Sequence, residues 1–357
     1  KQMVELGFKP SDFTLSTIIS ACASVADLEN GASVHAMIIK QGLESDVVVG
    51  TTLIDMYTKC GSLAKAHEVF EMLPIQNLVC WTTLIVGYVQ HRYAEEGLVC
   101  FEQMKIQGVS PDAVTFAYGL KACGSIGALD KGMELHDDIV HKGMIENHIV
   151  GNALIDMYAK CGMVTRAREV FDNRSVRDII AWNSLLTGYS QLGDLENVVE
   201  MLDTMNEKGI KPGLIAFTCV LNACSHAGLL NQGYMFFNYF LEYYSMVPTF
   251  EHFTCMIDLF GRTGYLDEAE KYLRAIPMQP TIAPFMAFLG GCRYKVDVKR
   301  GEVIAEYVFE LDPANPAPYV MLSNIYSAAG RVHDAEKVMD RMRRKGLRTR
   351  LGYSYIE

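Results

Sequence analysis

The phrase LIDMYTKCG at residues 53–61 is written again as LIDMYAKCG at residues 154–162, a shift of 101 residues. ISACASVADLENG at 19–31 returns at the same shift as LKACGSIGALDKG at 120–132, and after a second shift as LNACSHAGLLNQG at 221–233. CWTTLIVGY at 80–88 pairs with AWNSLLTGY at 181–189, and GVSPD at 108–112 with GIKPG at 209–213. Chance recurrence would not hold one offset across four unrelated phrases, so the chain is an internal repeat. The first phrase also sets a lysine beside a cysteine, Lys59 and Cys60, a neighbourhood that can turn a thiol into a nucleophile. The other copies carry Lys160 and Cys161, then Arg262 and Thr263, then Ala328 and Ala329, while Gly61, Gly162, Gly264 and Gly330 persist. A residue replaceable by Thr or Ala is explained by small size at a turn, and the glycine by the bend itself.

The 101-residue block divides at the tails GLESD, LPIQN and GVSPD into units 12–46, 47–77 and 78–112, of 35, 31 and 35 residues. Each unit reads as two short helices. Trp81, Leu84, Ile85 and Tyr88 follow the spacing of one helical face, and Gly97, Leu98, Phe101 and Met104 continue it on a second helix. Gly108 and Pro111 then end the pair. Leu53, Ile54 and Tyr57, then Leu63, Ala66, Val69 and Phe70, repeat the pattern around Gly61. Strand signals are absent. A helical pair cannot bury both its faces, so successive pairs are expected to stack into an all-α, right-handed superhelical α-solenoid of helix-turn-helix repeats. Ten units follow a 1–11 tail: 12–46, 47–77, 78–112, 113–147, 148–178, 179–213, 214–249, 250–281, and a more divergent pair, 282–315 and 316–350, before a short 351–357 extension. The chain opens at Lys1 inside what reads as a structural unit, so a longer parent chain is expected.

Composition narrows the function classes. Half of the 357 residues are hydrophobic, enough for a large core. No run of about 18 apolar residues suggests a membrane span. The ten cysteines include no C-x-x-C pair, the closest being Cys219 and Cys224, so reduced, buried thiols are expected rather than a zinc site. His35 and His136 stand 101 residues apart, which repeat packing explains better than catalysis. No metal, cofactor or enzymatic constellation is expected. The net charge of −10 favours protein partners over RNA when taken alone.

Units of 35, 31 and 35 residues carrying W-N-S-L-L-x-G-Y, L-I-D-M-Y-A-K-C-G and M-x-x-x-G-x-x-P-D phrases resemble pentatricopeptide repeats. The alternation of lengths is similar to the PLS subclass of plant organelles. A tetratricopeptide array would keep a fixed 34-residue period, which the 31-residue units break. FLGGCR through ELDPANPAPYVMLSNIYSAAGRVHDAEKVMDRMRRKGL, within 288–347, resembles the E region of site-specific RNA-editing factors. The resemblance implies a sequence-specific single-stranded RNA-binding protein that selects organellar C-to-U editing sites in mRNA processing. It implies location in a chloroplast or mitochondrion, multiple-organellar-RNA-editing-factor proteins as partners, and a DYW-type deaminase supplied in trans. That deaminase needs H-x-E with a distant C-x-x-C, and neither occurs here. The rival reading is a protein-binding α-solenoid without direct RNA recognition.

In the resembled family each unit addresses one nucleotide through its fifth and last residues, with an aliphatic second residue packing on the base faces. Carried over, Thr51 with Asn77 implies adenine, Thr82 with Asp112 guanine, and Asn152 with Asp178 uracil. Asn183 with Gly213 implies a pyrimidine. Val48, Val79, Ile149 and Ile180 would supply the packing. Weaker contacts would come from Ser16 and Asp46, from Asn147 opposite a non-bonding Ala117, and from Thr218 opposite Thr249. The implied core for units two to six is 5′-A-G-N-U-Y-3′. The same residue types are also ordinary helix caps and turn formers. The run RMRRKGLRTR at 341–350 is either a cationic helix end or an RNA or deaminase contact through Arg343 and Arg344.

Overall fold

The computed structural model describes residues 10–243, 247–276 and 281–347. The first nine residues, the last three of the 282–350 region and the 351–357 extension therefore lie outside the described residues. Among the described residues there are twenty α-helices and no strand. They form two compact units, Lys1–Leu185 and Leu186–Glu357.

The first unit holds the hairpins α1 (Asp12–Ser24) with α2 (Leu28–Gln41), α3 (Val47–Lys59) with α4 (Leu63–Met72), and α5 (Leu78–Gln90) with α6 (Ala94–Ile106). It continues with α7 (Ala113–Ile126) and α8 (Leu129–His141), then α9 (His148–Lys160) and α10 (Val164–Asn173), and ends inside α11 (Ile179–Gln191). The second unit runs from there through α12 (Leu195–Glu207), α13 (Leu214–His226), α14 (Leu230–Tyr243), α15 (Phe250–Thr263) and α16 (Leu266–Arg274). It closes with α17 (Ile282–Lys295), α18 (Val298–Leu311), α19 (Ala317–Ala328) and α20 (Val332–Arg344). This is the all-α repeat solenoid class expected from the periodicity.

Within each unit, first helices form a layer. In the first, α1 lies against α3, α3 against α5, α5 against α7, and α7 against α9. In the second, α13 lies against α15, α15 against α17, and α17 against α19. In the hairpins that lie within one unit, each second helix packs on its own first helix, and several, such as α6 on α7, also touch the next pair. The residues at helical spacing supply that core: Leu53, Ile54, Tyr57, Ala66, Val69 and Phe70 are all buried. Trp81 is 1 % exposed and meets Phe70 edge-on at 4.5 Å; one block later Trp182 meets Phe171 at 4.7 Å. Such aromatic contacts add to the large area that two tryptophans remove from water.

The bends are glycine-built. Gly61 adopts φ +73° after the cap residue Cys60, and Gly162, Gly264 and Gly330 repeat the left-handed conformation. All ten cysteines are described, free, and buried or half-buried.

Candidate nucleic-acid interface

The last residue of a unit is also the cap of the next first helix. Asp46 accepts the backbone N–H groups of Val48 and Val49, and Asn77 accepts that of Cys80. Asp112 accepts from Thr115, Asn147 from Ile149 and Val150, and Asp178 from Ala181. Capping holds each of these side chains at the mouth of a first helix, one helix over from the fifth residue of its own unit.

Four of the seven fifth-and-last pairs are joined there. Asn152 Nδ2 donates straight to the Asp178 carboxylate, at 2.8 and 3.0 Å. The others meet through the third residue of the following unit. Thr82 Oγ1 lies 2.8 Å from Thr115 Oγ1, which donates to Asp112 at 2.7 Å. Thr51 Oγ1 donates to the Val47 carbonyl and meets Cys80 Sγ at 3.1 Å, while the Cys80 N–H serves Asn77. Between Thr218 and Thr249 stands His252. Its Nδ1 accepts the Thr249 N–H, which leaves Nε2 to donate toward Thr218 Oγ1 and the Leu214 carbonyl. Burial holds the His252 imidazole below its ordinary pKa, so this neutral form is the one present near neutrality.

Sequence reasoning missed Cys80, Thr115 and His252. The signal was available: the third residue of the next unit is polar in these three cases and apolar elsewhere, as at Val49, Val150 and Ala216. With Val49 and Val150 in that place, Ser16 with Asp46 and Ala117 with Asn147 have no side-chain bridge from it. Ser16 is half-buried, Asp46 exposed, and Ala117 buried. Asn183 is half-buried in α11, and Gly213 caps α13 with extended backbone and open space where a Cβ would stand.

Asn152 differs from the open polar edge expected of it. It is 7 % exposed, with its Oδ1 taken by Arg174 Nη1 at 2.6 Å. Burial pushes the Asp178 carboxyl up, but hydrogen bonds from Ala181, Asn152 and Ile180 and the Arg174 charge more than offset it, leaving it below the ordinary carboxylate value.

One turn before each fifth residue stands an exposed apolar side chain. Val48, Val79, Ile149 and Ile180 are 69, 57, 41 and 58 % exposed. Phe13 and Val114 in the first unit and Ile215 in the second occupy the same register and are exposed too, although sequence reasoning carried the role to only four positions. An exposed aliphatic residue beside a polar pair is a surface able to take the face of a planar ring while the pair takes its edge.

Three of the first helices carry an ion pair of their own. Lys59 pairs with Asp55, Lys160 with Asp156, and Arg262 with Asp258, each one turn apart at 2.7 to 2.8 Å. Arg343 bonds Asp340 at 3.0 Å, and Arg344 lines an open groove with Lys337, Arg341 and Lys345 at the end of α20. Burial pushes the Cys60 thiol up, away from nucleophilic character. Among the described residues no group of three or more His, Cys, Asp or Glu could hold a metal ion, and no helix is long and apolar enough to cross a membrane.

Comparison with known proteins identifies the repeat. A PPR repeat family model matches residues 76–125 and 177–226, and a PPR repeat model matches 51–76, 152–173 and 251–277. An E motif model matches 295–357. A mitochondrial pentatricopeptide repeat-containing protein of Arabidopsis thaliana is 37 % identical over 353 residues, covering 99 % of this chain and 58 % of its own length. A chloroplastic one from the same plant is 36 % identical over 357 residues, covering 100 % of this chain and 41 % of its own length. The chain thus spans about half the length of these relatives. The crystal structure of the pentatricopeptide repeat protein PPR10 from maize matches with a TM-score of 0.52 at 19 % identity, over 97 % of this chain and 55 % of that one.

Proposed function

The chain belongs to the pentatricopeptide repeat family and carries an E motif, and from that premise we propose that it binds single-stranded RNA in a sequence-specific way. The observation that supports this is the joining of fifth and last residues in four of seven units, directly or through one residue, beside an exposed apolar second residue. Each unit, with the boundaries 12–46 to 250–281, is then a one-nucleotide module. Thr51 and Asn77 take adenine, Thr82 and Asp112 guanine, Asn152 and Asp178 uracil, and Asn183 with Gly213 a pyrimidine. Val48, Val79, Ile149 and Ile180 take the base faces.

The E motif supports a role in choosing organellar C-to-U editing sites, with the PLS arrangement setting the register. In that role the chain is a non-enzymatic adaptor. A DYW-type deaminase acts in trans, multiple-organellar-RNA-editing-factor proteins assist, and Arg343 and Arg344 face RNA or the deaminase. Relatives named as chloroplastic and mitochondrial support an organelle as its place of work.

A titration against RNA containing 5′-A-G-N-U-Y-3′, with a control in which A and G are exchanged, tests the reading. Tighter binding to the first RNA is expected. Equal binding to both would sink the base assignments. The net charge of −10 favours a second reading, a protein-binding solenoid, and absence of binding to either RNA would select it.

A further inference from the structure

Arg174 fills a slot that the preceding block gives to a leucine. Leu73 stands 101 residues earlier, with its Cδ2 over Gly50 as the Arg174 guanidinium lies over Gly151. A Cβ on Gly151 would come within 2.6 Å of Arg174 Cζ and Nε, so the close approach depends on glycine there. Arg174 is 4 % exposed, forms no ion pair within 4 Å among the described residues, and has a buried Nε–H without a hydrogen-bond partner. A guanidinium held this way costs stability that a leucine in the same slot would not. Among the described residues its one close polar contact between side chains is Nη1 to Asn152 Oδ1 at 2.6 Å.

We propose that Arg174 is a positioning residue that sets the base preference of the 148–178 unit, holding Asn152 Oδ1 so that the amide offers only N–H donors to the base. This rests on the RNA-binding reading above. An unrestrained asparagine amide can turn over and present either its oxygen or its nitrogen. With the oxygen held by Arg174 and Nδ2 bonded to the Asp178 carboxylate, N–H is the only polarity the amide has left to turn toward a base edge. Uracil presents carbonyl oxygens and an N–H, which suit an amide donor and the Asp178 carboxylate. Cytosine presents an amino group where uracil has O4, and a bare ring nitrogen where uracil has N–H. Arg174 therefore acts through Asn152 to favour uracil over cytosine. At the 47–77 unit Leu73 provides no such restraint.

The test uses the full chain and two RNAs that differ only by U or C opposite the 148–178 unit, with affinities read by fluorescence anisotropy. The unsubstituted chain is expected to prefer U. Arg174→Leu, the side chain its counterpart slot already accommodates, is expected to cut the U-to-C ratio by about tenfold, the effect of one charge-assisted hydrogen bond. Affinity for the U-containing RNA should change much less. Arg174→Lys, which keeps a donor in the slot, should recover part of the ratio. A ratio unchanged in Arg174→Leu, or equal weakening of both RNAs, would overturn the proposal while leaving RNA binding in place. So would an Arg174→Lys ratio no better than that of Arg174→Leu. Failure of the unsubstituted chain to bind either RNA would overturn the RNA-binding reading itself, and this inference with it.

Discussion

Gly61 turns the chain between α3 and α4 at φ +73°, and the nearest atom to a Cβ placed there is His91 Cε1 at 3.6 Å, an ordinary contact. The penalty for a side chain at Gly61 is therefore conformational rather than steric, about 1 to 2 kcal/mol for an L-residue in that region. Its neighbour Cys60 is half-buried, and its sulfur touches Met56 Sδ at 3.8 Å. Cys60→Ala is expected to change stability by less than about 0.5 kcal/mol, the range of surface substitutions away from special features. Gly61→Ala should cost several times more, and urea midpoints of the two variants check the order. If Cys60→Ala proved the more damaging, the thiol would hold more than a turn. The sequence copies already pointed this way, because they vary the cysteine and keep the glycine. What they could not reveal is the company Asn152 keeps. Arg174 lies 22 residues away and looks like an unremarkable hairpin end until the fold lays it on Gly151.

Between neighbouring elements, α2 and α3 share a hydrogen bond between His35 Nδ1 and the Tyr57 hydroxyl at 2.8 Å, and α8 and α9 repeat it between His136 and Tyr158. Burial is the main cause that lowers both histidine pKa values, with the Lys65 charge adding at His35; at His136, Asp137 opposes and Arg166 adds. A histidine whose folded pKa lies below its unfolded value of about 6.5 leaves stability undiminished above that value. As pH falls below it, the unfolded chain takes protons first and stability declines until the folded pKa is passed. Melting temperature is thus expected to drop between pH 7 and pH 5, and a His35→Gln, His136→Gln double variant should reduce that slope, leaving the share of His226 and His252, which burial also lowers. Asp178 acts lower down, since its depressed pKa withdraws stability only below about 3.8. A double variant with the original slope would assign the acid sensitivity to other groups. The same element scale explains what the sequence could and could not say about the interface. Helix pairs were readable because their apolar spacing and glycine bends repeat. The bridges through Cys80, Thr115 and His252 left only one trace, a polar third residue in the following unit, because each belongs to the next first helix and joins a pair across the interface between them.

Across the whole molecule, the proposed RNA binding requires a chain of net charge −10 to approach a polyanion. Three cations on the first helices, Lys59, Lys160 and Arg262, do little to offset this at long range, because each is paired with an aspartate one turn away. At about 0.01 M salt the screening length is roughly 30 Å, so RNA meets the net negative field; at about 0.1 M it is roughly 10 Å, and only nearby charges matter. The association rate constant for RNA is therefore expected to rise with salt over this interval, the reverse of a basic nucleic-acid binder. Equilibrium affinity carries a separate dependence, falling with a slope of about −0.7 per phosphate neutralised on a single strand. Asp156→Asn frees Lys160 for such a contact. It should raise affinity and steepen that slope by less than one unit, with base preference unchanged. Stopped-flow rates and anisotropy titrations at matched salt separate the two effects. An association rate that falls steeply between about 0.01 M and about 0.1 M salt would mean that a locally basic surface governs the encounter and that the net charge lies elsewhere on the molecule.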